Sequence, residues 1–101
     1  MTFGLKDVQN IEDGAEDEFE AFASIQRAIN SCMWSLQGSY GRAMMGAIEE
    51  GRCMLGRASC RDYWGNRIPA RSEVQDGTKG SRGFVAECMG EDWAAQMEGV
   101  E

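Results

Sequence analysis

The sequence predicts an all-α or mainly α fold: a helical hairpin, an irregular middle segment and a C-terminal helix, with room for one short strand pair. Three features point there. Apolar residues recur at helical spacing over residues 15–37, they do so again over 39–59, and periodicity then disappears from Cys60 to Gly83.

In the first stretch Phe22, Ile25, Ile29, Cys32, Met33 and Leu36 share an arc of about 100° when each residue turns by about 100°. Phe19 closes the edge of that stripe, and Glu16, Asp17, Glu20 and Arg27 lie opposite. A helix from about Ala15 to Gln37 follows, with acids in its first turns, where the positive end of the helix dipole favours them. Gly38 is of the type that ends helices, and Ser39 of the type that caps the next. Trp34 falls off the stripe, on the charged side, and is expected to be covered by the C-terminal region.

The second helix is expected from Ser39 to about Ser59. Gly41, Gly46, Gly51 and Gly56 lie within it, and each interior glycine costs about 0.8–1 kcal/mol relative to alanine. Against that cost, Tyr40, Ala43, Met44, Ala47, Ile48, Gly51, Met54 and Leu55 fall on one face. The helix is therefore held by packing rather than by propensity. The short connection between the two implies an antiparallel hairpin.

Arg61-Asp62-Tyr63-Trp64-Gly65-Asn66 reads as a turn carrying two adjacent aromatics, and Pro69 as the opening of a short turn through Glu73 and Val74. Gln75 to Gly83 is a loop by composition. At the C-terminus Val85, Met89, Trp93 and Met97 recur every four residues. A helix is expected from about Gly90 onward, and residues 82–89 are open between helix and strand.

A chain of 101 residues with 43% hydrophobic content forms one domain, residues 1–101, and is too apolar to be disordered throughout. No apolar run approaches the roughly 20 residues needed to span a bilayer, and the N-terminus lacks the pattern of a signal peptide, so a cytoplasmic location is expected. There Cys32, Cys53, Cys60 and Cys88 are expected as thiols acting as small hydrophobes. With no histidine and no Cys-x-x-Cys pair, neither a metal site nor any other cofactor is expected.

The net charge of −7 is unevenly distributed. Glu12, Asp13, Glu16, Asp17, Glu18 and Glu20 form a run without a base, and Glu87, Glu91, Asp92, Glu98 and Glu101 make a second acidic end. Between them lie Arg42, Arg52, Arg57, Arg61, Arg67, Arg71, Lys79 and Arg82. Carboxylates along a helix can imitate a phosphate row and dock on a cationic protein groove. The plainer reading is a solvated face, or carboxylates paired with the mid-chain arginines. The basic centre with Tyr63 and Trp64 offers single-stranded nucleic-acid binding, which the overall charge disfavours. Self-association through Trp34 and the apolar stripe is a further alternative. Gly77-Thr78-Lys79-Gly80 and Gly80-Ser81-Arg82-Gly83 resemble the clamp loop of KH domains over only seven residues, a degenerate match.

Enzymatic activity is not expected. Cys60 lies between Arg57 and Arg61, which favours a thiolate, yet no histidine can serve as base and no nucleophile-elbow or phosphate-loop pattern occurs. The carboxylates lie on a polar face, not in an apolar pocket that would raise a pKa.

In its general character the chain resembles small phage and mobile-element inhibitors of bacterial defence, the anti-CRISPR proteins. The shared features are one short acidic domain, a carboxylate-dense helix from Glu12 to Glu20, glycine-rich loops and no catalytic motif. The resemblance implies a non-enzymatic protein that docks on a CRISPR-Cas effector complex in the host bacterial cell and blocks target DNA binding. Glu12, Asp13, Glu16, Asp17, Glu18 and Glu20 would make the contact, with Tyr63 and Trp64 as anchors.

Overall fold

The computed structural model describes residues 3–35 and 38–100, with Ser39 described by its backbone alone. It is mainly α-helical, with five α-helices and one short antiparallel strand pair. Helix α1 (Leu5–Asp13) is an element that the apolar periodicity did not reveal. Its inward face is partly polar, because Asp7 and Asn10 are buried against α2 (Glu18–Asn30). Asp7 Oδ1 accepts from Ser24 Oγ and from the Arg27 guanidinium, each at 2.8 Å, and Asn10 Nδ2 donates to Ser24 Oγ at 2.9 Å. The pairings of Asp7 with Arg27 and Asn10 with Ser24 set the two helices antiparallel.

The helix expected over Ala15–Gln37 is shorter at both ends. Gly14, at φ +88°, closes α1, and Asp17 caps α2 by accepting the Glu20 N–H at 2.8 Å. At the far end Cys32 takes φ +59°, turning the chain out of α2 into a 3₁₀ turn, Met33–Ser35. Leu36 and Gln37, and the capping role foreseen for the Ser39 side chain, lie outside the described residues. Gly38 begins α3 (Gly38–Glu49) instead of ending the helix before it.

Helix α3 stops well short of Ser59. Gly51 adopts φ +74°, and a Cβ there would lie 2.5 Å from Cys88 Sγ, so only glycine fits. Beyond it, Cys53, Met54, Leu55 and Gly56 run buried without regular structure. Their polar backbone groups are met from outside. Gln26 pairs with both backbone groups of Met54, Leu55 N–H donates to Gly80 O at 2.9 Å, and Arg71 Nε donates to Leu55 O at 2.7 Å. The apolar arc expected of a long helix was therefore real as burial, but its last third is an extended segment wrapped by neighbours.

Strands β1 (Cys60–Arg61) and β2 (Arg67–Ile68) pair antiparallel, with Cys60 opposite Ile68, around the turn foreseen at residues 61–66. A 3₁₀ turn, Arg71–Glu73, follows Pro69 as expected. Residues 82–89 prove helical: α4 (Arg82–Met89) begins at Ser81, whose Oγ accepts the Phe84 N–H at 3.1 Å. Gly90, at φ +96°, separates α4 from α5 (Glu91–Glu98). The core gathers Ile29, Trp34, Met44, Met54, Val85 and Met97 from every part of the chain. No helix among the described residues is long and apolar enough to cross a membrane.

The expectation of four thiols is corrected. Cys32 and Cys60 form a disulfide joining the end of α2 to β1, while Cys53 is a buried free thiol and Cys88 an exposed one. The spacing of 28 residues carries no sequence signature; only the fold brings the pair together. Cys60 is thereby removed as a candidate nucleophile.

Candidate functional site

The acidic run does not lie along one helix. Glu12 and Asp13 end α1, Glu16 and Asp17 lie in the connecting turn, and Glu18 and Glu20 open α2. Gly14 and the Asp17 cap break the helix that the composition suggested, so the carboxylates cluster around the tip of a hairpin. All six are exposed.

Three of them have internal partners. The Tyr40 hydroxyl donates to Glu12 Oε2, and that carboxylate, by holding the phenolic proton, raises the Tyr40 pKa above its usual 10.0. Asp17 caps α2. Glu18 pairs with Arg52, whose guanidinium also lies 4.9 Å from the Phe22 ring centre and 3.2 Å from Glu50. Asp13, Glu16 and Glu20 make no ion pair with any described residue. Internal neutralisation by mid-chain arginines is thus limited to the one contact of Arg52 with Glu18.

Except for Arg42, the other arginines are engaged elsewhere. Arg27 holds Asp7, Arg67 holds Glu73, and Arg82 ties α4 to α5 through Glu91 at 2.5 Å and Glu98 at 2.8 Å. Arg57 and Arg61 donate to the backbone carbonyls of Glu98 and Gly65. Two carboxylates of the second acidic end, Glu91 and Glu98, thus share one guanidinium. What looked like a basic stripe is a set of internal clasps, which weakens the case for nucleic acid binding along it. The Gly-x-x-Gly loop also serves the fold: buried Gly80 packs against Leu55 and accepts its N–H.

Tyr63 and Trp64 occupy the tip of the β1–β2 hairpin and are 69% and 79% exposed. Asp62 fixes that tip. Its Oδ1 accepts the N–H groups of Trp64 at 3.0 Å and Asn66 at 2.8 Å, and Oδ2 accepts from Asn66 Nδ2. The two rings meet edge to face with centres 5.4 Å apart.

Below the tip lies a cavity of about 500 Å³, lined by Trp34, Ser35, Gly38, Gly41, Arg42, Met45, Asp62, Tyr63 and Trp64. Trp34 is covered as foreseen, being 5% exposed, but by α2, α3 and β1 rather than by the C-terminal region. That burial removes it as a surface for self-association. Gly41, Arg42 and Met45 lie about 100–200° around α3 from Tyr40, the residue that holds Glu12. The hairpin carboxylates and the aromatic pocket therefore flank α3 on different sides: the residues singled out in the sequence form two sites, not one.

The sequence singled out Trp34, Arg42, Tyr63 and Trp64 for other reasons but did not reveal this pocket. Its walls come from segments 34–45 and 62–64, and the Cys32–Cys60 bridge holds those segments together. No group of histidines, cysteines or carboxylates among the described residues is arranged to hold a metal ion. Comparison with protein-family models, with curated proteins and with solved structures returns no match to this chain.

Proposed function

We propose that this protein is a non-enzymatic binding module that docks its hairpin carboxylates on a basic protein surface. The observation that carries the reading is the division of charge within the molecule. Asp13, Glu16 and Glu20 are exposed without a cation among the described residues, whereas seven arginines are committed to internal contacts. Such a cluster, gathered at the α1–α2 tip, raises encounter rates with a cationic partner and makes binding salt-sensitive.

The resemblance in character to anti-CRISPR proteins makes the nucleic-acid channel of a CRISPR-Cas effector complex the first partner to test, with occlusion of target DNA as the consequence. Tyr63 and Trp64, as exposed aromatics on a braced hairpin, suit the role of secondary anchor. The compartment we propose is the bacterial cytoplasm. A reducing cytoplasm opposes disulfides, so the bridge there would depend on its shielding: Cys60 is buried and Cys32 half-buried.

The test is charge reversal at Asp13, Glu16 and Glu20, with affinity for purified effector complex measured at low and physiological salt. Loss of binding by tenfold or more, greatest at low salt, supports the proposal. Unchanged affinity removes the carboxylates from the mechanism.

A further inference from the structure

The pocket under the β1–β2 tip has a chemistry that docking through the hairpin carboxylates does not use. Two of its lining residues carry donors without acceptors among the described residues. The indole N–H of Trp34 is buried and unpaired, and the Arg42 guanidinium makes neither an ion pair nor a side-chain hydrogen bond there, lying instead back over Gly38. A buried unpaired donor costs about 1–3 kcal/mol and calls for a structural reason.

The one carboxylate in the lining, Asp62, is already occupied by three hydrogen bonds from its own turn. The charged donor left for a ligand is the Arg42 guanidinium, and the cavity opens beside the amino end of α3, where the helix dipole also favours an anion.

The walls set the shape of the guest. Tyr63 and Trp64 present aromatic surface, Met45 adds an aliphatic side chain, and buried Trp34 closes the wall behind them. Gly41 contributes no side chain, and a Cβ built on it would meet nothing within 4 Å, so this part of the wall is helix backbone. A volume of about 500 Å³ falls inside the range of small-molecule sites, roughly 300–1,000 Å³.

We propose that this cavity binds a nucleotide of monophosphate size, its flat base stacked on one of the exposed Tyr63 and Trp64 rings and its phosphate on Arg42. Base stacking on aromatic side chains is worth about 1–3 kcal/mol per base, and guanidinium is the side chain best matched to phosphate. The net charge of −7 does not forbid it. At physiological salt, charges beyond about 8 Å are screened, and Arg42 is the cation in the pocket wall without a partner among the described residues.

The test is titration of the full chain with the nucleoside 5′-monophosphates, followed by indole fluorescence and calorimetry, with the matching nucleosides and inorganic phosphate as controls. The expected result is saturable binding at least tenfold tighter for a monophosphate than for its nucleoside. Arg42→Gln, at an exposed site, should erase that difference while leaving the nucleoside affinity in place. Gly41→Leu, which directs a side chain into the cavity and improves helix propensity, should abolish binding of both with the circular dichroism unchanged. Charge reversal at Asp13, Glu16 and Glu20 should leave nucleotide binding intact, which separates this site from the docking surface. A 5′-phosphorylated single strand that binds more tightly than the free nucleotide assigns the pocket to strand ends, and equal affinity assigns it to the free nucleotide. No saturable binding in the millimolar range, or binding indifferent to both Arg42→Gln and Gly41→Leu, overturns the proposal.

Discussion

The side-chain amide of Gln26 holds both backbone polar groups of Met54. Its Nε2 donates to the Met54 carbonyl at 2.8 Å and its Oε1 accepts the Met54 N–H at 2.9 Å. Gln26 and Met54 are both fully buried, so the amide does for this segment what a neighbouring strand would do in a sheet. Gln26→Leu keeps most of the volume and strands two buried backbone groups. Each costs about 1–3 kcal/mol, and the substitution should destabilise the protein by about 3 kcal/mol or more in urea unfolding.

The cysteines can be counted. In the native protein without reductant, Cys88 alone should react with a thiol reagent, because Cys53 is buried and burial pushes its pKa up. Two thiols should react after denaturation and four after denaturation with reduction. Cys32→Ser combined with Cys60→Ser should lower stability by about 3–4 kcal/mol, from the entropy of a loop spanning 28 residues. Because the bridge also frames the aromatic pocket, the same pair should change the indole fluorescence.

Two carboxylates make stability sensitive to acid. The Ala70 N–H and then Arg67 hold the Glu73 carboxyl below its usual 4.5, and Arg82 does the same for Glu91. A depressed folded-state pKa contributes stability above the ordinary carboxylate value, and that stability is lost as pH falls through the folded-state value. Glu73→Gln should therefore lower Tm at pH 7, and its deficit should close between about pH 4.5 and the acid limit of the scan. Tyr40 works at the other end. Its pKa is raised by the bond to Glu12, so the contribution is present below pH 10.0 and is lost as pH rises beyond it. Tyr40→Phe should remove that alkaline dependence.

Gly51→Ala should be among the more damaging single-methyl additions. It places a Cβ at φ +74°, 2.5 Å from Cys88 Sγ and 2.6 Å from its Cβ. A loss of about 1–3 kcal/mol follows from the backbone conformation alone. Gly46→Ala, where a Cβ would meet nothing within 4 Å, is the matched control and should be neutral or stabilising.

What could be read from the residues was what repeats. The α2 stripe, the Tyr40–Ile48 face of α3 and the Asp62–Asn66 turn each carry a local pattern, and each is present. Helix α1 escaped because its inner face mixes Asp7 and Asn10 with Val8 and Ile11, leaving an apolar spacing too short to stand out. The segment from Cys53 to Gly56 misled because buried residues at helical spacing need not be helical when Gln26, Gly80 and Arg71 satisfy their backbone. The six carboxylates were legible as a cluster but not as a hairpin tip, since that depended on Gly14 and the Asp17 cap. The pocket and the bridge are tertiary and left no trace in spacing.

The covalent ring closed by Cys32 and Cys60 has a practical consequence for limited digestion. All of α3 and the buried stretch after it lie inside that ring. A protease that nicks the backbone once between the two cysteines leaves both fragments on one molecule, migrating as a single band until a reducing agent parts them. A clipped sample would then pass for intact protein by size, and only a gel run with and without dithiothreitol would reveal the cut.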